Sequence, residues 1–338
     1  MRPSSARRAA WLRLGMVLTL ALCASFAGAA ETGARWAAAD STALAGADGA
    51  AVEPAGLAVD AFGTRWVTDA ARHRLLRYDA AGTFLGEAGA LGSDVTQFRR
   101  PGAIAPFGAT AMAVLDRENR RVLGYDSRGR NPRVLVDLAA SALEQELGRI
   151  EPVGLACDAG GALLVADADR DRLLVFDFAG AFQRAIGGYG GGAGTFRHLV
   201  AVAAGARGEC WTLEWLAGGK VKGKGGAPDS VRAAHLRLQH LDAAGASLGS
   251  QEWEAPASSQ WSLAVSPAGV VAVAGAGRLW CRASASGDER VRTCALASAA
   301  PAAVAFTPDA GLLVATPGQL RRYAPGWDGW CEFQSPSR

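Results

Sequence analysis

The side chains of this sequence that could hold a ligand are cations and histidines at recurring places. The position just before a recurring proline carries, in successive units, Glu53, Arg100, Glu151, His198, Ser259 and Ala300. A second recurring set holds Arg72, His73, Arg117, Arg120, Arg170 and Asp171, with Arg99 and Arg197 nearby. A third group sits in the run Gly218–Gly226, where Lys220, Lys222 and Lys224 alternate with glycine and valine. Arg100, Arg117, His198 and the three lysines suit the capture of an anion. A guanidinium engages a carboxylate or phosphate through paired donors, and an ammonium acts as a point charge. Glu151 adds a carboxylate to the same arc. The alternative for the arc is a solvated rim, and for the lysine run an inserted loop without a role. A phosphate-binding glycine loop is not supported, because no helix follows it. His73 and His198 are weak candidates for a metal, since a catalytic zinc takes about three protein ligands. No Cys-x-x-Cys or Cys/His cluster is present.

These residues acquire relative positions only through a repeat. Pro54 is followed by Leu57, Asp69, Arg74, Tyr78, Asp79 and Gly82. Pro101 is followed by Ile104, Asp116, Arg121, Tyr125, Asp126 and Gly129, and Pro152 by Leu155, Asp167, Arg172, Phe176, Asp177 and Gly180. The offsets are the same in all three units: +3, +15, +20, +24, +25 and +28. Looser copies begin near Leu199, Gln260 and Pro301, with Glu214 and then Gly275 and Thr316 where the first three units carry aspartate. In the fourth unit, 23 residues separate Glu214 from Arg237, against five in the regular units.

Each unit reads as four short strands broken by Gly and Asp turns, as in Leu57–Val59, Arg65–Thr68, Leu75–Tyr78 and Thr83–Leu85. Six such units imply an all-β fold, a six-bladed β-propeller of four-stranded antiparallel blades. The sixth unit runs out of regular sequence after Tyr323, so Trp36–Asp40 is expected to supply its outer strand. The repeated Asp–Arg pairs are expected to staple each blade. The aromatic before each third-strand aspartate is expected between blades. The loops before each first strand and those between strands two and three are expected on one face, with the lysine loop among them.

The pattern Pro-x-Gly-Leu-Ala-Val-Asp, then Val-x-Asp, Arg-Leu/Val, aromatic-Asp and Gly resembles the NHL repeat. The linker Gln97-Phe98-Arg99-Arg100-Pro101 resembles that family's Phe-x-x-Pro run. The resemblance spans roughly residues 34–330. It implies a six-bladed propeller whose relatives bind proteins, RNA or carbohydrates. Two fragments resemble its peptidyl-hydroxyglycine amidating lyase branch, which uses a histidine zinc site. There His73 would align with a zinc ligand, and Arg117 in Asp116-Arg117-Glu118-Asn119 with a substrate-contacting arginine. The Pro-His-Ser segment of that branch reads Pro101-Gly102-Ala103 here, and His198, His235 and His240 stand in no equivalent position. The acidic and Asn ligands of calcium-dependent lactonase propellers form no motif here.

Four arginines (Arg2, Arg7, Arg8, Arg13), the apolar run Leu14–Ala24 and Ala27-Gly28-Ala29 read as a secretory signal peptide over residues 1–29. The run is too short to span a bilayer, which takes about 20 residues. A lipoprotein anchor at Cys23 is disfavoured by the large Leu22. Without the four leader arginines, 31 basic face 32 acidic side chains among the 35 and 32 of the whole chain. Global basicity therefore gives no ground for nucleic-acid binding. Cys157, Cys210, Cys281, Cys294 and Cys331 suit an oxidising compartment. A hairpin turning at Gly287/Asp288 would oppose Cys281 and Cys294 within disulfide reach. The reading is an exported propeller, periplasmic or secreted, with no transmembrane anchor after leader removal. It would act as a binding scaffold without a cofactor, for a protein or an anionic polysaccharide of the cell envelope. The competing reading is a metal-dependent enzyme with zinc or calcium in the axial channel.

Overall fold

A computed structural model of the chain describes residues 40–221, 230–282, 291–294, 301–324 and 332–333. The expected leader, Lys222 and Lys224 fall outside the described residues. The chain folds as a six-bladed β-propeller of antiparallel sheets. Blade one is built from Pro54–Val59, Arg65–Asp69, Arg74–Tyr78 and Phe84–Ala88. Blade two uses Pro101–Phe107, Ala111–Asp116, Arg121–Asp126 and Arg133–Asp137, and blade three Pro152–Cys157, Leu163–Asp167, Arg172–Phe176 and Phe182–Gly187. Blade four uses Leu199–Ala204, Cys210–Leu216, His235–Leu241 and Ser247–Glu254. Blades five and six start with Trp261–Val265 and Ala303–Phe306. These six inner strands touch their neighbours in a closed ring around the axis.

The repeat residues make this shape locally. Asp79, Asp126, Asp177 and Asp242 each accept backbone N–H bonds through Oδ1 from residues two or four positions on. Three residues later comes Gly82, Gly129, Gly180 or Gly245, each at positive φ, 91°, 71°, 84° and 92°. Such a turn needs a side-chain acceptor at its start and a residue free of a Cβ at its end. Tyr78, Tyr125 and Phe176 are buried between blades, where Tyr125 stacks on Phe98 of the preceding linker.

The ring closes with a strand from the start of the chain. Asp40–Ala43 pairs antiparallel with Gln319–Tyr323 as the outer strand of blade six. Of the expected strand Trp36–Asp40, only Asp40 lies among the described residues, and it opens this pairing. Glu332–Phe333 adds a fifth strand to blade five, against Arg292 and Thr293. The long excursion of blade four carries a hairpin, Gly219–Val221 with Ser230–Arg232. It also lengthens its parent strands, so that Trp215 pairs Leu236 and Leu216 pairs His235.

The cysteine expectation is corrected by register. Cys281 opposes Arg292, and Cys294 opposes Leu279. In this register Cys294 lies two places along its strand from the residue that faces Cys281. Diagonal neighbours on one face lie farther apart than a directly opposed pair. Among the described residues one α-helix occurs, Ser141–Leu147, between blades two and three. No helix among them is long and apolar enough to cross a membrane.

Candidate functional site

A buried carboxylate sets the upper face of each of the first four blades. Asp69, Asp116, Asp167 and Glu214 end their second strands and are fully buried. Each accepts from the Nε of an arginine on the third strand, its first residue in blades one to three: Arg74 at 3.2 Å, Arg121 at 2.8 Å, Arg172 at 2.9 Å and Arg237 at 2.9 Å. The second oxygen takes backbone N–H groups of the loops above, from Arg72, Arg99, Glu151 and Arg197 respectively. The guanidinium then reaches the linker that leads into its own blade. Arg121 donates to Ser93, Asp94 and Gln97 carbonyls, and Arg237 to those of Gly191 and Thr195. Buried charge is tolerated because each is paired and hydrogen-bonded. Glu214 keeps the pair intact across its 23-residue excursion because strand pairing, not sequence distance, sets Glu214 opposite Arg237. The Asp–Arg pairs and Asn119, whose Nδ2 donates to Asp116 at 2.7 Å, are therefore structural.

The staples bring the two loop sets together on one face, as expected. Glu118 N–H donates to Arg99 O, Ala168 N–H to Glu151 O, and Trp215 N–H to His198 O. Arg100 and His198 take positive φ, 51° each, as do His73 at 56° and Asp171 at 49°. His73 Nδ1 accepts the Arg100 N–H at 3.0 Å, and Asp171 Oδ1 accepts the Leu199 N–H at 3.0 Å. One turn position thus carries a side-chain acceptor for the next blade's entry in blades one and three, taking the N–H before the repeat proline in the first and the N–H at the proline position in the second.

Depressions on this face are lined by the described residues of these loops. The first lies on the axis, with a volume of about 260 Å³. Small residues of the inner strands line it, with Trp215, Trp261 and Ser259 higher up and Arg100 and Arg117 at its mouth. Leu57, Ile104, Leu155, Val202, Leu263 and Val304, the +3 residues of the repeat, line it below and also line a separate cavity opening on the opposite face. The second depression, about 400 Å³, is lined by Arg100, Arg117, Arg120, Arg149, Glu118 and Glu151 with Ile150 and Pro152. The third, about 480 Å³, holds His73, Glu53, Arg100 and Gln260. Arg100 lies 3.6 Å from Glu118, and Arg120 pairs with Glu144. Among the described residues, Arg117 and Arg149 form no ion pair within 4 Å, and both are exposed.

Of the residues singled out from sequence, the fold gathers Arg100, Arg117 and Glu151 into one depression. His198 shares their backbone role, its carbonyl accepting from Trp215 N–H. His73 lines the third depression and already spends Nδ1 on a backbone donor, so the neutral ring carries its proton on Nε2 and offers no lone pair to a metal. Among the described residues, no three His, Cys, Asp or Glu side chains converge on a common point. Lys220 lies in the inserted hairpin. Sequence reasoning missed Arg149, Trp215, Trp261 and Gln260. Gln260 stands where blades one, two, three and six carry the repeat proline, and its Nε2 donates at 3.0 Å to Pro54 O, Ala55 O and Ala302 O. It straps blade five to blades six and one at the axial cavity. Only the substitution of Gln at the repeat position could have hinted at this.

No family model matches the sequence, and no curated protein matches it. Solved structures do. Virginiamycin B lyase from Staphylococcus aureus superposes with a TM-score of 0.56 at 11% identity, over 84% of this chain and 98% of that one. U3-55K superposes with a TM-score of 0.56 at 12% identity, over 86% and 99%. A streptogramin B lyase follows with a TM-score of 0.51 at 12% identity, over 80% and 93%. Likeness at such identities establishes the propeller architecture and leaves the chemistry to the site.

Proposed function

We propose that this chain is an NHL-type propeller acting as a binding scaffold, and that it holds an anionic segment of a protein or polymer at the channel mouth. The observation that carries this is the arginine set of the second depression, two of whose members also line the axial cavity. Arg100, Arg117, Arg120 and Arg149 converge there against Glu118 and Glu151, on a chain whose mature part is near neutral. Arg117 and Arg149 have no acidic partner among the described residues, so their donors stay available to a ligand. Arginine favours this use because its planar fork binds carboxylates in a bidentate way and sheds water readily. The ring beneath fixes the backbone positions from which the arginines reach the ligand, so only their side chains need ordering on binding. Residues 1–29, read as a leader, would deliver the scaffold to the periplasm or beyond, where an envelope ligand would be met. The metal-dependent alternative draws no support from a ligand cluster among the described residues.

The test is fluorescence anisotropy with labelled hexaglutamate and labelled polygalacturonate. The double variant Arg117→Glu/Arg149→Glu is expected to weaken binding of at least one probe by about tenfold or more, and raised salt should weaken the parent in the same way. Equal binding by parent and variant at every ionic strength would overturn the reading.

A further inference from the structure

We propose that the axial cavity is a subsite for the terminal sugar of an acidic oligosaccharide, whose next unit lies over the neighbouring arginine depression. The proposal rests on the reading of the mouth as an anion-binding surface and names the ligand class.

The cavity has room for one sugar unit. Leu57, Ile104, Leu155, Val202, Leu263 and Val304 line both this cavity and the one opening on the opposite face. A group reaching down from the mouth meets this ring of aliphatic side chains. Its volume of about 260 Å³ compares with the roughly 150 Å³ of a cavity that holds benzene. One six-membered ring with its substituents fits, and a helix or a folded loop does not.

The lining suits a polyhydroxylated ring better than an alkyl chain. The inner strands have a sheet partner on one side only, so their other edge turns peptide groups toward the axis. An alkyl tail would cover those groups without bonding them, at a cost of about 1–3 kcal/mol for each one left unsatisfied. Hydroxyls bond them. Trp215 and Trp261 supply the apolar wall against which the C–H face of a sugar packs.

Arg100 and Arg117 line both this cavity and the arginine depression. A carboxylate on the terminal sugar would meet them at the junction. A second carboxylate, one unit along, would meet Arg120 and Arg149. The chain therefore leaves toward blades two and three, where those arginines stand. An acidic peptide would satisfy the arginines but would leave the ring-sized cavity unfilled.

Gly102 allows the cavity to be filled by mutation. A Cβ built there meets no atom within 4 Å, so Gly102→Leu projects into open space, and Gly102→Ala is a milder version. Isothermal titration with trigalacturonate, its carboxyl-reduced neutral analogue and hexaglutamate provides the test, with thermal melts of each variant as the folding control. Trigalacturonate is expected to bind the parent. Gly102→Leu should weaken it by about tenfold or more, Gly102→Ala by less, and hexaglutamate should change by under about threefold. Carboxyl reduction should abolish binding. If hexaglutamate binds in an Arg117-dependent manner while trigalacturonate does not bind, the sugar proposal falls and the anion-binding reading stands. Trigalacturonate binding unchanged in both folded Gly102 variants has the same meaning. If neither probe responds to Arg117→Glu, both fall.

Discussion

Asp116 shows how the two arginines of one short segment divide their labour. Its carboxylate is fully buried and accepts from Arg99 N–H, Asn119 and Arg121. Asp116→Ala strands a guanidinium that is largely buried and frees the loop bearing Arg100, so a loss of about 3–5 kcal/mol is expected in chemical denaturation. Arg117→Ala, at an exposed position, should fall within about 0.5 kcal/mol of the parent. A loss under about 1 kcal/mol for Asp116→Ala would contradict the staple. This division was legible in the sequence, because the staple residues recur at fixed offsets and Arg117 does not. Gln260 and the two tryptophans recur nowhere, and so had no periodic signal to set them apart from ordinary surface or core residues.

At the scale of elements, the closing strand and the blade-one turn fit each other closely. A Cβ at Gly82 would come within 2.1 Å of Thr42 Oγ1, and the residue sits at φ 91°. Gly82→Val therefore strains the backbone and pushes the closing strand off blade one. We expect a loss of about 2 kcal/mol or more, read as a drop in thermal midpoint. The same substitution at Gly277, also at positive φ, meets no atom within 4 Å and should cost less, which separates the lost contact from backbone strain. A Gly82 loss no larger than that at Gly277 would refute the fit. The four-strand period and the need for an N-terminal closing strand were readable from turn chemistry. The register of the Cys281 strand was not, because moving the turn by one residue slides every pairing by two.

Across the whole molecule, the core sits between blades and carries several buried acids of weak acidity. Burial pushes Tyr78 and Tyr125 up to about 12, Cys157 to about 11 and Cys210 to about 12. In the unfolded chain the tyrosines ionise near 10 and the thiols near 9. These groups therefore contribute stability that is whole below about pH 9. It is lost as pH rises through their folded values, because only the unfolded chain can ionise freely. Thermal midpoints should fall progressively from about pH 9 to about pH 11, and a flat profile would contradict this. At the acid end the sign reverses. Backbone N–H bonds hold Asp79 and Asp126 below the ordinary carboxylate range, and what they add is lost as pH falls through those lowered values.

The sequence by itself determined the architecture, because a propeller is written in local terms: a turn aspartate, a glycine beyond it, an alternating strand, and the same unit again. Each of those interactions spans a few residues, so spacing alone exposes it. It also determined that the charged loops of successive units share one face. Only the tertiary structure decided which of those charges meet. Arg149 joins Arg117 from a different linker, and Gln260 reaches two other blades. Such encounters depend on how the ring closes and where each linker lies, and no periodic pattern in the chain records them.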